Sequence, residues 1–288
     1  LLTYNKPTTV DEAVVLLQQP QHAARLLAGG TDLLVQLRSG RLAAQGIVDL
    51  KRIPELRVLR AEQGGFRIGA AVSGAELGEH AGLKTMWPGV VEAANLIGST
   101  QIQGRASLGG NLCNASPAAD SVPALIAAGA RCTVAGPGGR REVPVESIVT
   151  GPGKTSLVAG EFVVDFMLPA QAARGGDAYL RFIPRTEMDI AVVGMAVNLA
   201  LDAAGVCTTA RVAVGAVAPT ARLVDAAGAA LVGTTVDETA LNALMAAVRA
   251  ACAPINDKRG TIEFRTHVAG VLAGRAAKIA LERARSRA

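Results

Sequence analysis

Two short segments of this 288-residue chain pair glycines beside polar side chains: Leu26-Leu-Ala-Gly-Gly-Thr-Asp-Leu33 and Ser107-Leu-Gly-Gly-Asn111. Glycine has no Cβ, so backbone N–H groups at such turns can approach an anion closely, and φ > 0 costs little. The first pair stands just before a predicted helix, whose unpaired N–H groups and dipole favour negative charge. Two such turns about 75 residues apart could hold one diphosphate from two sides. Taken on the glycines alone, both read as simple tight turns before they read as a phosphate site. Asp32 opposes a diphosphate by charge unless its carboxylate turns away to cap the following helix, a role aspartate fills well.

Other chemistries find little support. Cys113, Cys132, Cys207 and Cys252 form no CxxC pair and none neighbours His22, His80 or His267. Zinc and iron–sulfur ligation therefore lack a pattern, and the thiols are expected to be buried and reduced, the histidines structural. No G-x-G-x-x-G is present. Gly151-Pro-Gly-Lys-Thr155 imitates the end of a Walker A loop, but Ile148 stands where that motif needs its first glycine. With no G-x-S-x-G, no H-E-x-x-H and no nucleophile–base pair, no catalytic residue is assigned.

The formal net charge is +5, but residues 258–288 alone carry +6, leaving −1 for the rest. A basic terminal helix reads as a solvated face with cations near its C-terminus. With aromatics at only 3%, little is left for base stacking, and nucleic acid is not an expected partner. The longest uncharged stretch, Ala106 to Ala119, is 14 residues and broken by Gly, Asn and Pro, against the roughly 20 that a spanning helix needs. No basic-then-apolar signal opens the sequence, so a cytoplasmic protein without a membrane span is expected.

The elements that must position these turns follow from periodicity. Thr9-x-x-Glu12 predicts a helix over about 10–18. Arg25–Ala28 reads as a strand, 32–38 as a helix closed by Gly40, and 46–50 as another strand. A hairpin is predicted around Gln63-Gly64-Gly65, a helix after Pro88, and an irregular stretch over 98–114. Pro117 is placed at the first turn of a helix carrying Leu125 and Ile126 inward. A second hairpin surrounds Gly136-Pro-Gly-Gly139, and Glu161–Leu168 reads as a strand. Residues 170–178 look like a linker. Strands near 179–183, 190–201 and 206–217 follow, then helices near 221–231, 237–252 and 262–285. The class is α+β, with a domain boundary near 172.

At these residues the sequence resembles the FAD-binding medium subunit of molybdenum hydroxylases, the group of the carbon monoxide dehydrogenase medium chain and the xanthine dehydrogenase flavin domain. The sharpest piece is Ala106-Ser-Leu-Gly-Gly-Asn-Leu-Cys-Asn-Ala-Ser-Pro-Ala-Ala-Asp120. Ala28-Gly-Gly-Thr-Asp32, Gly98-Ser-Thr-Gln-Ile102, Gly151-Pro-Gly-Lys-Thr155 and Arg185-x-x-x-Asp189-Ile-Ala191 recur in order, as do Gly215-x-Val-Ala-Pro219 and Asp257-x-Arg259. The resemblance implies a vanillyl-alcohol-oxidase-type (PCMH-like) FAD-binding domain over 1–172, in subdomains of about 1–57 and 58–172. A C-terminal domain over 173–288, a three-stranded antiparallel sheet with helices, would complete it.

By the same likeness Leu27, Ala28, Gly29, Gly30, Thr31 and Asp32, with Ser107, Leu108, Gly109, Gly110 and Asn111, would hold the FAD diphosphate. Asp120 would lie near the ribityl–ribose region. Val163 and Arg181 would supply backbone and cationic contacts, and Ile97 stands where the xanthine dehydrogenase flavin domain has a phenylalanine against the isoalloxazine. Gln103-Gly104 replaces the usual Arg-Asn, with Arg105 as the nearest substitute cation. The implied role is electron transfer. FAD would take electrons from a 2Fe-2S small subunit, fed by a molybdenum-cofactor large subunit in a dimer of heterotrimers, and pass them to an external acceptor. The alternative is a self-contained flavin-dependent oxidase or reductase of the same fold; a third reading is an assembly subunit without flavin, which the intact glycines oppose.

Overall fold

The computed structural model describes residues 2–19 and 24–287. The chain opens with β1 (Thr3–Asn5) and α1 (Val10–Leu17), started by Thr9, whose hydroxyl accepts the Glu12 N–H at 3.1 Å. β2 (Ala24–Leu27), α2 (Leu33–Arg38) and β3 (Gly46–Asp49) complete the first unit. Its sheet runs β1-β3-β2, all parallel, with β3 buried between its partners. The turn at 28–32 thus leaves the end of a parallel strand and enters a helix. That is where backbone N–H groups are left without ladder or helix partners.

The second unit holds β4 (Leu59–Glu62), β5 (Gly65–Gly69), α3 (Gly74–Glu79), α4 (Ala81–Met86), α5 (Pro88–Ala94), α6 (Thr100–Gln103), α7 (Leu108–Cys113) and α8 (Ser121–Ala127). It continues through β6 (Arg131–Gly136), β7 (Gly139–Pro144), β8 (Val149–Gly151), β9 (Lys154–Thr155) and β10 (Phe162–Leu168). Five strands form an antiparallel sheet in the order β4-β5-β10-β6-β7, both expected hairpins included. β10 closes the sheet from its centre, and its Phe166 and Leu168 share one core with Trp87, which joins α4 to α5, and with Val90 and Leu125 of the helices.

Two local expectations fail here for physical reasons. The stretch 98–114 is not irregular but carries α6 and α7. Ser107 Oγ accepts the Gly110 N–H at 3.2 Å, and this cap starts a helix that Gly-Gly-Asn propensity alone would not predict. Pro117 opens no helix: its carbonyl accepts the Ala216 N–H at 2.7 Å, and α8 begins later, at Ser121. α3 was not expected, although Ser73 and Glu76 form a complete capping box there.

The C-terminal unit comprises β11 (Gly175–Phe182), β12 (Val193–Leu201), β13 (Cys207–Gly215), β14 (Arg222–Leu223), α9 (Asp225–Ala229), α10 (Glu238–Ala251) and α11 (Ile262–Ser286). Its antiparallel sheet has four strands in sequence order rather than three, because two-residue β14 is too short to show alternation. The linker is also shorter than expected, since Gly175 and Gly176 belong to β11. A side chain at Gly176 would collide with the Ala280 carbonyl, so that glycine serves close helix–sheet packing, whereas a side chain at Gly175 would meet Gln171 and the Ala172 carbonyl of the turn just before it. α11 lays its buried alanines (Ala269, Ala273, Ala276, Ala277, Ala280, Ala284) on that sheet. Among the described residues no helix is long and apolar enough to cross a membrane.

Candidate functional site

The two glycine turns meet. A Cβ built on Gly29 would fall on the Arg105 carbonyl oxygen and lie 2.6 Å from its carbon, so the first turn touches the backbone that leads into the second. Glycine is required there by contact between two main chains, not by φ. Gly30 is the conformational glycine, with φ of 83°. Between the turns opens a cavity of about 420 Å³.

Most of the anticipated residues line this cavity: Ala28, Gly29, Gly30, Thr31 and Asp32 from the first turn, and Ser107, Gly109, Gly110 and Asn111 from the second. Ile97 and Val163 complete them. Leu27 and Leu108 do not; both are buried in the core behind the turns. Asp120 and Arg181 also stand outside the lining and pair with each other at 3.1 Å. Arg181 Nη1 further donates to the Leu96 carbonyl at 2.6 Å, next to Ile97, and the Tyr179 hydroxyl donates to Asp120 at 3.1 Å. Burial pushes the Asp120 carboxyl up to about 6 in spite of Arg181, and burial beside Asp120 drives the Tyr179 hydroxyl well above its ordinary value.

The N–H groups divide unequally. Those of Gly29, Gly30 and Thr31 have no hydrogen-bond partner among the described residues. In the second turn, Gly109 donates to the Ala70 carbonyl at 3.1 Å and Gly110 to Ser107 Oγ. Asp32 does not cap α2, the one role that would have turned its charge away from a diphosphate. Its own backbone is helical (φ −97°, ψ −49°), whereas a capping residue is normally extended, and its carboxylate makes no cap bond.

The sequence did not point to several wall residues. Arg25 supplies a cation at the cavity, whereas Arg105 is not part of the lining. Gln36 Nε2 donates to Asn114 Oδ1 at 3.0 Å, tying α2 to the end of α7. Cys113 is an exposed thiol in the wall rather than a buried one, while Cys132 and Cys207 are buried as expected. Asn111 uses its side-chain oxygen to accept from the Ser121 N–H and hydroxyl, at 3.1 and 2.7 Å. His80 Nδ1 accepts the Leu83 N–H and starts α4, and His22 lies outside the described residues. Only the glycine pairs carried a readable signal; the rest depends on which loops fold together.

The chemistry of the wall fits a dinucleotide through unpaired N–H donors and a cation for a diphosphate and aliphatic Ile97 and Val163 beside it for a flat apolar ring, while the uncapped Asp32 carboxylate in the same wall, its pKa raised by burial, works against the diphosphate by charge. With its strands and helices arranged as above, the molecule has the two-domain architecture of an FAD-binding oxidoreductase subunit. Residues 2–171 match the family described as the FAD binding domain in molybdopterin dehydrogenase, and residues 178–280 the CO dehydrogenase flavoprotein C-terminal domain. The xanthine dehydrogenase FAD-binding subunit of Escherichia coli O157:H7 is 35% identical over 92% of this chain and 91% of its own. The carbon monoxide dehydrogenase medium chain of Hydrogenophaga pseudoflava is 34% identical over 97% of both. The solved carbon monoxide dehydrogenase from that organism, lacking the Mo-pyranopterin moiety of its cofactor, superposes with a TM-score of 0.93 at 35% identity over 98% of each chain. The chain belongs to the FAD-binding medium subunits of the molybdenum hydroxylases, and its cofactor is FAD.

Proposed function

We propose that this chain holds FAD across the cavity between its two glycine turns and relays electrons within a multi-subunit molybdenum dehydrogenase. FAD, when bound, can accept electrons one at a time or in pairs and release them to a different partner. The protein supplies position and field. The unpaired N–H groups at Gly29, Gly30 and Thr31, with Arg25, face the diphosphate. Ser107, Gly110 and Asn111 close its other flank, and Leu27 and Leu108 support the turns from behind. Ile97 and Val163 border the ring, and the Asp120–Arg181 pair fixes the Leu96 carbonyl behind Ile97. Electrons would arrive from a 2Fe-2S subunit supplied by a molybdenum-cofactor subunit, and leave to an external acceptor.

The observation that carries this reading is the cavity itself, built from both turns and lined on one side by donors without partners. The lining holds no histidine among the described residues, which favours a relay over a self-contained oxidase that does its own acid–base work. The test is flavin reduction followed by absorbance. The FAD-loaded chain alone should stay oxidised when mixed with aldehydes, purines or carbon monoxide, and should bleach with one of them once its partner subunits are added. Bleaching of the isolated chain by an organic substrate would favour the self-contained enzyme.

A further inference from the structure

Behind the first glycine turn, three side chains form a continuous line of hydrogen bonds. The Tyr4 hydroxyl on β1 donates to Asp49 Oδ2 at the end of β3. Asp49 Oδ1 accepts from the Lys51 backbone N–H at 3.1 Å and from Lys51 Nζ at 2.7 Å. Lys51 Nζ also donates to the Ala28 carbonyl at 3.1 Å. Asp49 is only 5% exposed, and although burial raises its pKa, the bonds from Lys51 and Tyr4 outweigh this and hold it below the ordinary range.

Neither Lys51, Asp49 nor Tyr4 is part of the cavity lining, so a role toward a ligand must act through the turn. The shared element is the Ala28–Gly29 peptide. In a planar trans peptide the carbonyl and the N–H point in opposite directions. A cation holding the Ala28 oxygen on one side therefore turns the Gly29 N–H to the other. That N–H has no partner among the described residues, and Gly29 lines the cavity. Polarising the carbonyl also strengthens the N–H of the same peptide as a donor. The Lys51–Asp49 pair is neutral as a unit, so its contribution is orientation more than long-range attraction.

We propose that Lys51, anchored by Asp49 and Tyr4, is a positioning residue that aims the Gly29 N–H at the diphosphate of the bound flavin dinucleotide. This rests on the assignment of FAD to the cavity. The test titrates the full flavin-free chain with FAD and, separately, with riboflavin, which has no phosphate, following flavin fluorescence. Lys51→Met should raise the FAD Kd about tenfold, the scale of one lost charge-assisted bond, and leave the riboflavin Kd unchanged. Lys51→Arg should recover most of the FAD affinity. Tyr4→Phe, at a half-exposed position that tolerates loss of a hydroxyl, should show a smaller loss confined to FAD, and serves if Lys51→Met does not fold.

Wild-type affinity for FAD in Lys51→Met, or equal weakening of FAD and riboflavin, would overturn the proposal. So would a Tyr4→Phe chain indistinguishable from wild type when Lys51→Met cannot be obtained. A wild-type chain that binds riboflavin as tightly as FAD would instead remove the assignment of the cavity to a dinucleotide, and this proposal with it.

Discussion

At residues 28–32 the N–H groups of Gly29 and Gly30 find no partner among the described residues, while at 107–111 Gly109 donates to Ala70 and Gly110 to Ser107. Both turns carry the same dipeptide. The first is a strand-to-helix turn braced from behind by Lys51; the second is the opening of a capped helix whose two glycine donors are already spent within the protein. The difference teaches that paired glycines mark close approach of backbone, and that what approaches can be a ligand or the protein itself. At Gly29 the missing Cβ makes room for the Arg105 carbonyl, while its N–H finds no partner among the described residues.

The largest effect is therefore expected at Gly29→Ala. The added methyl has backbone on its far side, which cannot rotate away, so the turns must separate. Loss of detectable FAD retention on gel filtration is expected, with destabilisation of about 3 kcal/mol or more in urea unfolding. A Gly29→Ala chain that keeps its flavin would break the picture of turns in contact. Gly109→Ala comes next. Its Cβ would meet the Ala70 oxygen at 2.6 Å and Cβ at 2.7 Å, pushing α7 off the end of β5. A stability loss of about 2 kcal/mol is expected, with FAD binding weakened only as far as the helix shifts.

How much of this was readable in advance depends on the range of the interaction. The first turn, with β2 before it and α2 after it, was legible because strand, glycine pair and helix follow one another within one stretch of chain. Both hairpins were legible for the same reason. α7 was not, because the Ser107 cap outweighs three poor helix formers, and propensity sums do not see a single hydrogen bond. Gly176 looked like part of a linker because the reason for it, α11, lies about 100 residues away in sequence. Asp120 and Arg181 were anticipated only through likeness to a family; nothing local says that they pair with each other. The cation in the wall, Arg25, sat in plain view on β2 but had no spacing to single it out.

Two buried carboxylates outside the cavity lining, Asp49 behind the first turn and Asp120 beside Arg181, sharpen the contrast by pH. Asp120 has a folded pKa of about 6, above its unfolded value, so it stabilises the fold in acid and that contribution is lost as pH rises from about 4 to about 6. Asp49 is shifted down, so its contribution is present above the unfolded value near 4 and is lost as pH falls. Urea midpoints at pH 4.5 and 7 should show Asp120→Asn removing a fall of about 2 kcal/mol with rising pH. Asp49→Asn should destabilise at pH 7 and much less in acid. Parallel pH profiles for the two variants would mean that burial, not the partners, governs both sites.

The smallest stability effect, and the most discriminating, belongs to Gly110→Ala. A Cβ there meets nothing closer than Ser107 Oγ at 3.3 Å, and the residue lies within α7 with an ordinary helical backbone. Replacing glycine by alanine inside a helix is worth roughly 0.5–1 kcal/mol in favour of folding, so the flavin-free chain should melt slightly higher. The same methyl projects from a residue that lines the cavity. If the second turn meets the diphosphate by leaving it space rather than by donating to it, FAD affinity must fall while stability rises, because the methyl takes that space. Melting temperature of the flavin-free chain and FAD affinity moving in opposite directions is the expected signature. If both rise together, the second turn closes the fold without touching the cofactor, and recognition of the diphosphate belongs to the first turn alone.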